Sequence, residues 1–157
     1  MTENLNLQGF TYTDNPEGNI FVEDIYSKIK KLEDAVKENE HVEGQVGFYF
    51  TSRKVEMTSE DTTNLKKALL EEKVIGEDDK VFLEKVDDPS SDIKAVCKEY
   101  YIRSDFIDSF VSVINEADEY YKINADGSYA KNGYLWSDCR VICKNGEYVL
   151  LDFYICD

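Results

Sequence analysis

Apolar and polar positions recur along this chain with two periods, and the changes between them mark its elements. From Val22 the apolar residues Val22, Ile25, Tyr26, Ile29, Leu32, Ala35 and Val36 return at helical spacing, with Glu23, Lys30, Lys31, Glu33, Asp34 and Lys37 mostly between them. This pattern predicts an amphipathic helix of about four turns. The run Gln45 to Thr51 is rich in β-formers and too short for a stable helix, so it reads as a strand. Thr58-Ser59-Glu60-Asp61 resembles a helix start, where a hydroxyl accepts from free N–H groups and acids favour the positive end. A second helix is expected from there to about Lys73, with Leu65, Ala68 and Leu69 inward.

Lys80 to Val86 reads as a second strand, and Asp87-Asp88-Pro89-Ser90-Ser91 stops it and caps a third helix. Ile93, Val96, Cys97 and Tyr100 form the inner stripe of that helix. After Arg103-Ser104-Asp105 a fourth helix is predicted. Its stripe of Phe106, Ile107, Phe110, Val113, Ile114, Ala117 and Tyr121 is the broadest in the chain, which makes it the expected central core helix.

The last third switches to strand periodicity. Asp126-Gly127 and Asn145-Gly146 tolerate the positive φ angles of two-residue turns, so each predicts a hairpin. With Asn145-Gly146 as the loop, Cys143 faces Tyr148, Val141 faces Leu150, Cys139 faces Asp152 and Trp136 faces Ile155. Trp136, Ile142, Val149, Leu151, Phe153 and Ile155 then form the face that meets the helices. Val141, Cys143, Tyr148, Leu150, Tyr154 and Cys156 occupy the other, which is also too apolar to stand in water. The N-terminal arm or other strands of the chain are expected to cover it, or else a partner. The fold class is therefore α+β, with about four helices packed on an antiparallel sheet and a C-terminal β-meander. One domain of 157 residues is expected: an arm over 1–21, a mainly helical part with two strands over 22–123, and the meander over 124–157.

Charge alters this picture more than composition does. Hydrophobic residues are 42% and aromatics 13%, enough for an ordered core. Against 18 Lys and Arg stand 33 Asp and Glu, leaving a net charge of −15. Such a field repels phosphates and anionic lipid and speeds encounter with basic proteins. Direct binding to nucleic acid or membrane is disfavoured. Neither a signal-type N-terminus nor a membrane-length apolar run is visible, so a cytoplasmic, reduced environment is expected.

The candidate chemistry is sparse. His41, the single histidine, falls in a polar connection and reads as a solvated loop residue with no accompanying nucleophile elbow. Cys97, Cys139, Cys143 and Cys156 contain no Cys-X2-Cys knuckle. Cys139 and Cys143 lie about 13 Å apart on a strand, too far for one metal or disulfide, and read as small buried hydrophobes. Asn124-Ala125-Asp126-Gly127 resembles the centre of a calcium loop, but Lys122 and Gly133 stand where carboxylates are needed. No glycine-rich nucleotide loop occurs. Asp138 and Arg140 share the helix-facing side of the hairpin, as a structural ion pair would. No catalytic residue, metal site or cofactor is assigned.

The remaining signal is where the acids fall. Between Ser104 and Tyr121 there is no Lys or Arg, so the fourth helix is expected to present an unbroken negative outer face. The candidate partner-binding surface joins Asp105, Asp108, Glu116, Asp118 and Glu119 to Tyr120, Tyr121 and the Glu77-Asp78-Asp79 turn. Acids with exposed tyrosines suit an Arg/Lys-rich partner, since tyrosine offers rigid contact area and a π face to cations. The leading expectation is an acidic, non-catalytic inhibitor that occludes the nucleic-acid-binding surface of a basic partner such as a nuclease. Toxin-immunity proteins and anti-CRISPR-like phage anti-defence proteins share this general composition, although no motif is diagnostic of either. Two alternatives belong to other classes. One is a small enzyme or ligand binder with a pocket between the C-terminal sheet and the 104–121 helix, lined by Trp136, Tyr154, Asp138 and Asp152. The other is a homodimeric scaffold subunit joined through the apolar hairpin face.

Overall fold

Two positive-φ residues set the register of the sheet centre. Asn145 (φ 53°) and Gly146 (φ 81°) close a tight turn between β5 (Ser137–Lys144) and β6 (Glu147–Cys156). Cys143 pairs with Tyr148, Val141 with Leu150 and Cys139 with Asp152, as the sequence predicts. This computed structural model describes residues 24–38, 41–44, 46–126 and 137–156. The arm, Trp136 and the expected turn at Asp126-Gly127 lie outside them.

Four more strands complete the described sheet: β1 (His41–Glu43), β2 (Val46–Val55), β3 (Lys80–Lys85) and β4 (Glu119–Asp126). The order is β1-β2-β6-β5-β4-β3, and every neighbouring pair is antiparallel. The helices are α1 (Ile25–Glu38), α2 (Thr63–Glu71), α3 (Pro89–Glu99) and α4 (Ser104–Ile114). No described helix is long and apolar enough to cross a membrane.

Strand alternation divides the core into two layers. On one face Phe48, Phe50, Tyr120, Ile142, Val149, Leu151 and Phe153 pack against α1, α3 and α4, with Phe110 and Phe153 wholly buried. On the other face Val55, Cys139, Val141, Cys143, Tyr148 and Leu150 meet Leu65, Ala68 and Leu69 of α2 and the following Val74 and Ile75. The second apolar face of the hairpin thus has its cover within the chain. The cover is a helix, where the sequence reading expected the arm or other strands, and it buries Val141, Cys143, Tyr148 and Leu150 of this face.

The local signals for α3 hold in detail. Asp88 caps it by accepting from the Ser91 N–H at 3.2 Å, Pro89 follows at the first helical position, and Ile93, Val96, Cys97 and Tyr100 are all buried. The start of α2 differs from expectation. Thr58 Oγ1 accepts from the N–H groups of Glu60 and Asp61 and closes a separate turn, so the helix begins only at Thr63. His41 lies in β1 and not in a loop, where Glu43 and Val46 flank a turn with Gly44 at φ 63°.

The largest departure is α4, which ends at Ile114 instead of continuing to Tyr121. Glu116 and Ala117 donate to carbonyls three residues back, tightening the last turn, and Asp118 N–H then bonds Cys143 C=O at 2.8 Å. Glu119 to Asp126 run on as β4. Tyr121 is seven residues after Ile114, so it continued the helical series by coincidence while also fitting the alternation of a strand.

Candidate functional site

The ten residues expected to form one acidic surface do not come together. Asp105 and Asp108 are exposed on α4, over the sheet face covered by three helices. Glu77 and Asp78 are exposed in the turn after Val74 and Ile75, which pack on the opposite face. Asp118 and Glu119 stand at the start of β4, whereas the Glu77-Asp78-Asp79 turn adjoins its far end through the Lys80–Asp126 pair. Along an eight-residue strand those ends lie roughly 23 Å apart.

Several of the ten also have structural duties. Asp79 is fully buried; its Oδ2 accepts from Gly76 N–H at 2.9 Å, while its Oδ1 has no hydrogen-bond partner among the described residues. Tyr120 is buried and donates to Asp92 Oδ2 at 2.6 Å, so it is not a surface tyrosine. Half-buried Tyr121 donates to Glu119 Oε1 at 2.7 Å, and Tyr148 approaches the same oxygen at 3.4 Å. The negative face of α4 is not unbroken either: Arg103 binds Asp105 at 2.7 Å, Lys28 binds Glu116 at 2.7 Å and Lys144 lies 3.8 Å from Asp118. Glu77, Asp78 and Asp108 remain exposed with no ion pair among the described residues.

Two buried polar clusters bring together groups that could take part in chemistry. In the first, Arg140 of β5 is 4% exposed and grips Asp92 of α3 in a two-pronged contact, Nε to Oδ2 at 2.6 Å and Nη2 to Oδ1 at 3.1 Å. Its Nη1 donates to Cys139 C=O and lies 3.7 Å from Asp138, which accepts from Tyr100 at 3.0 Å. Burial opposes the ionised form of Asp92, but bonds from Arg140 and Tyr120 outweigh it and lower the pKa. The donors of Arg140 are turned to groups of its own fold, so the cluster fastens α3 to the sheet. The hairpin register had placed Asp138 and Arg140 on this side. Asp92 could be read in sequence only as a helix-start acid, because its partner is 48 residues away.

The second cluster is on the α2 face. Asp152 is 4% exposed, and the Cys139 thiol donates to its Oδ1 at 3.4 Å. Burial, with smaller contributions from Glu72 and Asp138, pushes its pKa up to about 7. The Cys139 thiol is itself driven well above its ordinary range by burial, and Cys97 is pushed up to about 12. Neither thiol supplies a thiolate near neutral pH, so the pair lacks the activated nucleophile that covalent catalysis needs. Cys97, Cys139 and Cys143 are free and buried, and no metal-holding group of His, Cys, Asp or Glu occurs among the described residues.

The pocket expected between the C-terminal sheet and the fourth helix is not bounded by its proposed lining. Asp138 faces the helices, Asp152 and Tyr154 face the other way, and Phe110, Phe153, Ile142 and Leu151 fill the space under α4. A cleft of about 180 Å³ opens instead between β2 and α2, lined by Arg53, Lys54, Asn64, Lys67, Glu56 and Glu71 among others. Arg53 is committed there to Glu71 and Glu72. The cleft is smaller than the roughly 300 Å³ at which small-molecule sites begin.

No protein-family model, no curated protein and no solved structure matches the chain.

Proposed function

We propose that this chain is an acidic, non-catalytic binding protein that inhibits a basic partner by occluding its nucleic-acid-binding surface. The observation that carries this reading is where the carboxylates sit. Of the acids whose burial is described, only Glu33, Asp79 and Asp152 are buried, so the negative excess of these residues lies on the outside of an ordered body. Charges held on a fixed frame address a basic cleft without the ordering cost that a disordered acidic tail bears. The contact set proposed is Asp105 and Asp108 on α4, with Glu116 and Asp118 beyond its end; Glu77 and Asp78, over the opposite face, and Glu119 contribute to the surrounding field, and Tyr121 is half accessible. Asp79 and Tyr120 leave the set because they are buried.

The test uses proteins captured from lysate on the immobilised chain at low and high salt, each then assayed for displacement of labelled duplex DNA or RNA. Capture of a nucleic-acid-binding protein that weakens with salt is expected, together with displacement of its duplex. Reversing Asp105 and Asp108 to Lys should abolish both effects while circular dichroism stays unchanged, and the same change in net charge made at Glu77 and Asp78 should weaken them less. A captured set indifferent to salt and to the reversal would overturn the reading.

A further inference from the structure

The two edges of the sheet are finished differently. Beyond the short β1, the edge of β2 is closed by α1: Glu33 Oε1 accepts from Ser52 N–H at 2.8 Å, and Lys30 Nζ donates to Ser52 C=O at 2.9 Å. At the other edge, β3 pairs with β4 alone among the described residues. Its face on the α1/α3/α4 side carries Lys80, Phe82 and Glu84, and Phe82 is 51% exposed. Val81 and Leu83 turn to the opposite face and pack against the α2 layer.

From these features we infer that β3 is a self-pairing edge, and that a second copy of this chain docks antiparallel along it and continues the sheet across a two-fold axis at Phe82. The backbone presents the required groups. Val86 N–H donates to Tyr120 C=O, so by strand alternation the N–H and C=O groups of Val81 and Leu83 point away from β4. With Phe82 on the axis, Val81 lies opposite the second copy's Leu83, and each such pair exchanges two backbone hydrogen bonds. Phe82 then meets its own symmetry mate, and Lys80 meets Glu84, at the non-hydrogen-bonded positions where side chains approach most closely.

Charge on an edge strand ordinarily deters pairing. Here the two positions that the axis brings together carry opposite signs, so the charges favour one register and oppose a slip. Lys80 makes no ion pair among the described residues, and Glu84 is already steadied by Asn124 Nδ2 at 2.6 Å. The ladder ends where Asp79 N–H turns back to Gly76 C=O. This inference stands independently of the basic partner proposed above.

Sedimentation equilibrium of the whole chain tests it. A reversible dimer is expected, and Phe82→Lys, at an exposed position, should dissociate it with unchanged circular dichroism, and with unchanged melting at concentrations where the parent is itself monomeric. Lys80→Glu and Glu84→Lys should each weaken the dimer about tenfold by placing like charges opposite one another twice. The double variant K80E/E84K, and an equimolar mixture of the two single variants, should both restore it. Lys94→Glu on α3, with the same change in net charge as K80E, should leave it intact. A monomeric wild type, a dimer indifferent to F82K, or failure of both restorations would overturn the inference.

Discussion

Asp152 is a carboxylic acid enclosed by Cys139, cross-strand Thr51 and the α2 layer, with no cation beside it among the described residues. Its pKa rises from 3.8 to about 7 because burial removes the water that would stabilise the carboxylate. The folded state therefore holds a proton that the unfolded chain releases. The stability this group confers is complete below its unfolded pKa and is lost as pH rises through about 7, a difference on the order of 4 kcal/mol. Asp152→Asn keeps the shape and an acceptor for Cys139 but abolishes the titration. In urea unfolding the variant should match the parent near pH 4 and exceed it by a few kcal/mol near pH 8. Equal stabilities near pH 8 would show that the carboxylate is solvated. The Asp92–Arg140 pair illustrates the opposite arrangement, since a two-pronged cation keeps an acid charged despite partial burial. The hairpin register sets Cys139 opposite Asp152, but the α2 layer over that face and the Arg140 that meets Asp92 come from distant parts of the chain, so neither environment could be read from local spacing alone.

Elements differ in how much of their definition is local. Asp88-Pro89 specifies the start of α3, and Asn145-Gly146 fixes a hairpin register, because both act through backbone groups within three residues. The end of α4 is another matter. Nothing between Asn115 and Asp118 forbids a helix, and it is the Asp118–Cys143 hydrogen bond that draws the chain into the sheet. The edge of β2 likewise depends on α1, where Lys30 and Glu33, three apart on one helix, satisfy both backbone groups of Ser52. Glu33→Ala should leave that N–H without its partner and cost about 1–3 kcal/mol. It should also make the β2 edge available to other strands, visible as faster aggregation on mild heating by light scattering. Unchanged melting and solubility would mean that water replaces the carboxylate without penalty.

At the scale of the whole molecule, a net charge of −15 acts against compactness, since the described acids lie almost entirely on the surface. Adding sodium chloride from about 50 mM to about 500 mM should raise the melting temperature by screening this repulsion, with the largest gain at the lowest salt. A melting temperature that falls with salt would show that the ion pairs, such as Lys28–Glu116 and Arg53–Glu71, outweigh the repulsion. Salt thus separates two roles of one charge: it should stabilise the fold while weakening attachment to a basic partner.

The sequence alone determined the α+β class, three of the four helix starts to within a few residues, the central hairpin register and both faces of that hairpin. These rest on periodicity and turn chemistry, which are properties of neighbouring residues. Tertiary structure decided the rest: that α2 covers the second face, that α4 stops at Ile114, that Asp79 and Tyr120 are buried, and that the acidic surface is divided between two faces and two strand ends. Those outcomes depend on which distant segments meet. A carboxylate beside Gly76 and one beside Arg140 look alike in sequence, and only packing determines whether water, backbone or a guanidinium surrounds them.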